Sequence, residues 1–219
     1  MSNQFTWIDI YQELTTTLLN WQDRQPELIA FLDDLHTHSY TVTSMQDKNR
    51  DDERVLLTEI DPFTFFSAFN RQITDENRIA ILAQVKKHFH IESPLPSDFD
   101  GIPVVNNQSS WFFAYQKNGR KPKDIPHLWH LFRLALDDNP LQNPKFLQAF
   151  DEALAIRRVN INLTMGLFWI RPDTFFGLDR QNRTYLGIEL PNGGLTAEFY
   201  AEIVEKFATG ERSFDCRHR

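Results

Sequence analysis

The sequence is poor in cysteine and glycine, and both shortages exclude classes of chemistry. Cys216 is the only cysteine, so neither an internal disulfide nor a cysteine-rich zinc site can form. The eight glycines include no G-x-G-x-x-G pattern and no glycine-rich loop that ends in Lys and Ser or Thr. Nucleotide hydrolysis by a P-loop is therefore excluded, because that loop needs backbone amides wrapped around the phosphates.

Long apolar runs are also missing. No stretch approaches the roughly 20 apolar residues that a membrane-spanning helix needs. The segment 1–7 lacks a basic region followed by an apolar run, which is the pattern of a signal peptide. We therefore expect a cytoplasmic protein that does not bind membranes.

A positive charge excess is the third absence. The formal net charge is −7, whereas a protein that coats duplex DNA unaided usually carries a basic excess. Any contact with DNA must therefore come from a local basic patch.

The residues that are present predict a helical fold. Apolar residues make up 41% of the chain and include 19 phenylalanines, enough for a sizeable core. Trp7, Tyr11, Leu14, Leu18 and Trp21 recur at spacings of four and three, which is one face of an amphipathic helix. Similar patterns, several of them beginning at a capping residue followed by proline, predict about seven helices in total.

We therefore predict a mainly α fold, α+β at most, as a single compact multi-helix domain over residues 1–212. Residues 36–58 are polar and predict an exposed loop, and residues 213–219 predict a flexible tail. The alternating aromatic run 111–115 predicts a minor strand or hairpin element. The apolar run 161–170 fits a strand or a buried helix, and periodicity alone does not distinguish them.

The search for catalytic and metal-binding residues gives weak candidates. Three close histidine pairs, at 36 and 38, 88 and 90, and 127 and 130, fit structural roles better than metal binding. Asp98 and Asp100 could hold a divalent cation with a third carboxylate, but they also fit the capping of loop amides. Cys216 and His218 lie in the predicted tail. We predict no catalytic residue, no metal and no cofactor.

One basic cluster stands out beside the aromatic run. Its four cations, together with two aromatic residues that could stack on bases, form our candidate DNA-binding set: Lys117, Arg120, Lys121, Lys123, Trp111 and Tyr115. Phosphate contact requires cations, and base stacking requires aromatic rings. The alternative interpretation is a solvated loop beside ordinary core aromatics. Arg157, Arg158, Arg180 and Arg183 add positive charge at positions that the sequence does not fix.

A family resemblance rests on three blocks taken in order. They are EIDPFTFF at 59–66 with FN at 69–70 and TDENR at 74–78, DFDGIPV at 98–104 with NN at 106–107, and LTMGLFWIRP at 163–172 with LDRQNR at 178–183. Together they resemble the amino-terminal region of McrB-like restriction proteins, which are ring-forming AAA+ motors that act with a separate nuclease. The resemblance covers roughly residues 5 to 207.

The resemblance implies a non-catalytic domain that senses a DNA target, binds DNA weakly and works with McrB-like motor and nuclease subunits. The motor's phosphate loop is absent here, so no catalytic residue carries over from the family. Two alternatives come from other classes of protein. One is a metal-dependent nuclease or base-processing enzyme that uses Asp98 and Asp100. The other is a protein-interaction adaptor, which the acidic charge suits.

Overall fold

The computed structural model describes residues 5–208, which form a mainly α-helical domain, as predicted. Nine α-helices occur in this range: α1 Ile8–Leu18, α2 Gln25–Thr37, α3 Pro62–Ser67, α4 Asp75–Phe89, α5 Asp124–Ala135, α6 Pro144–Leu154, α7 Asn162–Ile170, α8 Arg180–Leu186 and α9 Ala197–Ala208. Strands β1 (Gln46–Lys48) and β2 (Arg54–Leu56) pair antiparallel as a hairpin. The predicted tail at 213–219, with Cys216 and His218, lies outside the described residues. No helix in the described range is long and apolar enough to cross a membrane.

Side-chain caps fix where several helices begin. Asp61 accepts a hydrogen bond from the Thr64 amide before α3, and Thr74 accepts one from the Asn77 amide before α4. Asn143 caps α6 in the same way. Each cap satisfies a backbone amide that has no partner within its own helix. These three starts were predicted from the sequence, whereas α8 was not.

Helix α3 lies at the centre of the core, and all six of its residues are buried. It packs against α5 and α7. The ring of Phe63 lies between those of Phe112 and Phe132, with centroid distances of 5.7 and 6.1 Å. Helix α7 approaches so closely that a Cβ atom at Gly166 would lie 2.8 Å from Phe63 Cδ1.

The apolar run 161–170 is helical and forms α7. Seven of its nine helical residues are buried, because α1 and α3 both pack on it. A helix covered on several sides needs no polar face, so its sequence lacks the amphipathic period. That enclosure explains why periodicity did not distinguish helix from strand.

The predicted strand at 111–115 is wrong. Residues 111–114 are all buried and belong to no β-ladder. Hydroxyls of α3 take the place of a neighbouring strand: Ser67 Oγ donates to the Ser110 carbonyl, and Thr64 Oγ1 accepts from the Phe112 amide at 2.9 Å. The aromatic alternation therefore reflects an irregular segment packed inside the core.

The prediction of an exposed loop over residues 36–58 also needs correction. Helix α2 extends to Thr37, and the hairpin occupies residues 46–56. Apolar side chains on both sides of β1 and β2 are buried, namely Val42, Met45 and Leu57. The exposed residues of this range are 36–39, 41, 50–56 and 58.

Asp61 provides a test of the central cap. Its carboxylate is fully buried, Oδ1 caps α3, and Oδ2 has no hydrogen-bond partner. Burial raises the pKa of Asp61 from 3.8 to about 6. The folded state therefore binds a proton more tightly than the unfolded state, and stability falls as pH rises from about 4 to about 6.

We expect Asp61→Asn to stabilise the fold at pH 7.5 by about 1 to 2 kcal/mol, because asparagine caps equally well and carries no buried charge. Urea unfolding at pH 4.5 and 7.5 measures the difference, which should shrink at the lower pH. Asp61→Ala is the control for loss of the cap itself. A difference between Asp61→Asn and the parent that does not change with pH would contradict the proposed cause.

Candidate nucleic-acid interface

A cleft of about 430 Å³ opens between the β-hairpin and the loop at residues 106–108. Four cationic side chains line it, two from the hairpin and one each from two other segments: Lys48, Arg54, Arg71 and Arg158. Among the described residues, those that line the cleft include no Asp or Glu. In a chain with a net charge of −7, this is a local concentration of positive charge.

Two of the cations come from the hairpin. Lys48 and Arg54 are directly opposite each other in the register of β1 and β2. Like charges in that position repel each other, and Asp52 offsets the repulsion only in part, with Oδ1 at 3.2 Å from Lys48 Nζ. The hairpin thus holds two positive groups side by side along one wall of the cleft.

Arg71 also lines the cleft and lies on the segment that follows α3. Its backbone forms a bridge with Val105. Its side-chain Nε donates to Asn107 Oδ1 at 2.9 Å, and Nη1 donates to Thr43 Oγ1 at 3.0 Å. Burial lowers the pKa of the guanidinium, and the group still remains charged at neutral pH. Neutral partners therefore hold its position without cancelling its charge.

Arg158 reaches the same loop from a different part of the chain. Its Nη2 donates to the Gln108 carbonyl at 2.6 Å. Its backbone φ is +83°, in the left-handed region that favours glycine. An arginine is held there even though its backbone conformation is strained.

The two aromatic residues of the predicted set both line the cleft. The rings of Trp111 and Tyr115 meet edge to face with centroids 5.1 Å apart. Trp111 is 8% exposed and Tyr115 is half-buried. The structure therefore brings the aromatic half of the predicted site together at the base of a positively charged cleft.

The four predicted cations are placed elsewhere. Lys117 Nζ lies 2.6 Å from Asp52 Oδ1, and that contact raises the pKa of Lys117. Arg120 Nη2 lies 2.7 Å from Asp47 Oδ2, and these two side chains are only 13% and 3% exposed. Arg120 is thus an internal residue, and its assignment as a phosphate contact needs correction.

Lys121 and Lys123 line a separate depression. Two carboxylates, Asp124 and Glu152, share it with them. Acidic groups beside the lysines reduce the positive potential there, in contrast with the first cleft.

Asp47 connects the hairpin to the predicted basic segment. Its Oδ1 accepts from the amides of Lys48 and Gln116 at 2.7 and 3.2 Å, while Oδ2 binds Arg120. Gln116 directly follows Tyr115. One buried carboxylate therefore fixes the cationic wall of the cleft relative to its aromatic base.

The acidic loop gives no support to a metal centre. The Asp98 carboxylate accepts hydrogen bonds from the Asp100 amide, Ser97 Oγ and Thr6 Oγ1 at 3.0–3.2 Å. These bonds, led by the one from the Asp100 amide, lower the pKa of Asp98. This is the geometry expected when a carboxylate caps loop amides. Within residues 5–208, no group of three or more His, Cys, Asp or Glu side chains is arranged to hold a metal ion.

Sequence reasoning missed the cations that line the cleft. Lys48, Arg54 and Arg71 were not singled out, and Arg158 was noted without a location. No local pattern marks them, because they meet only when α3, the hairpin and loop 106–108 come together. The left-handed backbone of Arg158 is likewise visible only in the structure.

Comparison with known proteins identifies a family but no function. A family model described as "Domain of unknown function (DUF8425)" matches residues 7–214, and the chain belongs to this family. No curated protein and no solved structure matches the chain.

The buried Asp47–Arg120 pair can be tested by removing one partner. We expect Asp47→Ala to lower the free energy of unfolding by about 3 kcal/mol, because it leaves a buried guanidinium without its counter-charge. The matched control is Asp52→Ala, which removes the exposed partner of Lys48 and Lys117 and should lower stability far less, because water screens an exposed pair. Urea unfolding measures both variants. Equal losses in the free energy of unfolding would contradict a greater stabilising role for the buried Asp47–Arg120 pair.

Proposed function

We propose that this chain is a non-catalytic domain that senses a DNA target in an McrB-like restriction system, whose motor and nuclease lie elsewhere. The cleft between the hairpin and loop 106–108 is the part that engages DNA. Such a role places the protein in the cytoplasm. The proposal joins the sequence resemblance to the charge and shape of one cleft.

The observation that carries the proposal is the charge of the cleft. Within residues 5–208, four cations and no carboxylate line it, although Asp52 pairs with Lys48 outside the lining and the chain carries 30 acidic and 23 basic residues. The surrounding negative charge repels a polyanion from other surfaces and leaves this cleft as the favourable place for phosphate. Cations of this kind supply the part of DNA affinity that does not depend on sequence.

Trp111 and Tyr115 add a second kind of contact. Aromatic rings beside a cationic groove are how many proteins hold exposed bases, because every base has a face that can stack. The small size of the cleft limits the number of phosphates in reach. We therefore expect weak binding by one copy, in the micromolar range or weaker, and tighter binding where a ring of motors presents several copies.

The two alternatives make different predictions for the same samples. A nuclease that uses Asp98 and Asp100 would cut DNA when Mg²⁺ is added. An adaptor would bind no DNA at any salt concentration. Because the Asp98 carboxylate caps loop amides, it gives no support to the nuclease alternative.

The test compares two double variants, each of which removes two positive charges. We expect Lys48→Gln with Arg54→Gln to weaken DNA binding and to reduce the slope of log affinity against log salt by up to about 1.8 on duplex, or about 0.9 for each lost phosphate contact. Removing two opposed like charges should leave stability unchanged or slightly higher. Fluorescence anisotropy with labelled single-stranded and duplex DNA measures affinity, and thermal melting measures stability.

The matched control is Lys121→Gln with Lys123→Gln, which removes the same charge from the predicted basic segment. We expect this variant to keep the salt slope of the parent. If it loses affinity while the hairpin variant does not, the predicted basic segment is the interface and the cleft is not. If the parent binds no DNA, the proposed function fails.

A further inference from the structure

Two arginines from distant parts of the sequence meet on one short loop. Arg71 binds the Asn107 side chain, and Arg158 binds the Gln108 carbonyl. Both line the same cleft. Their guanidinium groups are therefore held close to adjacent loop residues, each by partners that leave other N–H groups of the same guanidinium unused.

Neither arginine has a counter-charge within residues 5–208. The hydrogen-bond partners of Arg71 are an amide and a hydroxyl, and that of Arg158 is a backbone carbonyl. None of the six ion pairs formed by the described residues includes either arginine. Two fixed positive charges without a carboxylate favour an anion that both can reach.

The backbone of Arg158 gives an independent reason to suspect a function. Its φ of +83° is costly for a residue with a Cβ atom, and glycine would adopt it without strain. Strained conformations of this kind often occur where a side chain must be presented to a ligand. Arg158 forms no ion pair among the described residues, and its side chain is held by the hydrogen bond to the Gln108 carbonyl.

We propose that Arg71 and Arg158 form a binding site for one phosphate group. Guanidinium groups suit this ligand, because their planar N–H pairs match the spacing of phosphate oxygens. Loop 106–108 fixes both groups before the ligand arrives, which lowers the entropic cost of binding. This inference deepens the proposed function, since a DNA phosphodiester is one source of the group. Free phosphate and phosphomonoesters are the other sources.

Arg158→Gly is the decisive variant. It removes the guanidinium and relieves the backbone, so we expect phosphate affinity to fall by about tenfold or more while the melting temperature stays the same or rises by about 2 to 4 °C. A residue that served only the fold would show the opposite change in melting temperature. Arg71→Lys keeps the charge and loses the planar fork, and should also weaken binding.

Arg157→Gln is the matched control. Arg157 neighbours Arg158 in sequence but donates to the Asn118 carbonyl and does not line the cleft. Its removal should change phosphate affinity by less than about twofold, the scale of a non-specific charge effect. Calorimetric titration with inorganic phosphate and pyrophosphate measures binding, and DNA with and without a 5′-phosphate gives the nucleic-acid arms by anisotropy.

The outcomes separate this site from the proposed function. Loss of phosphate binding in Arg158→Gly and Arg71→Lys, with retention in Arg157→Gln, supports the site. Phosphate binding by the parent without DNA binding overturns the proposed function and leaves the site standing. DNA binding and phosphate binding that neither variant weakens overturn the site and leave the function. A parent that binds neither phosphate nor pyrophosphate at millimolar concentration, and whose DNA binding is unaffected by the variants or absent, overturns the site.

Discussion

The structure depends on a short helix that is buried on every side. Helix α3 has six residues, too few for its backbone to satisfy itself, and no water reaches it to supply partners. The surrounding chain supplies partners: Asp61 caps the first turn. Just before the helix, the carbonyl and amide of Ile60 bind Trp129 and Gln25. The hydroxyls of α3 then bind the irregular segment at 110–112. Much of the central core is organised by this requirement.

The sequence reveals the features of the fold that are local. Helix starts at Asp61, Thr74 and Asn143 were predictable because a cap and its amide lie within three residues of each other. The segment 111–115 was not predictable, because its partners are hydroxyls more than 40 residues away. Helix α7 was ambiguous for a related reason, since its neighbours enclose it and remove the amphipathic pattern. The secondary-structure predictions are thus wrong or ambiguous where tertiary contacts outweigh the local conformational preference of the sequence.

The same contrast between local patterns and distant contacts applies to the candidate site. Trp111 and Tyr115 could be selected because aromatic residues beside cations form a visible pattern. The role of Arg120 could not, since the carboxylate that binds it is 73 residues away. Nor could the cations of the cleft be grouped, because three distant parts of the chain contribute them. A count of charge along the chain identifies a basic segment, but pairing in three dimensions decides which charges remain available to a ligand.

The buried helix and the cleft are parts of one arrangement. Because α3 binds Ser110 and Phe112, Trp111 between them is held at the base of the cleft. The segment after α3 carries Arg71 and is bridged to Val105, which leads into loop 106–108. The hairpin wall is attached from the other side, through Asp47 and Arg120. Two buried polar networks therefore fix the positions of aromatic and cationic groups, and a chain with a net negative charge can present a preorganised positive site.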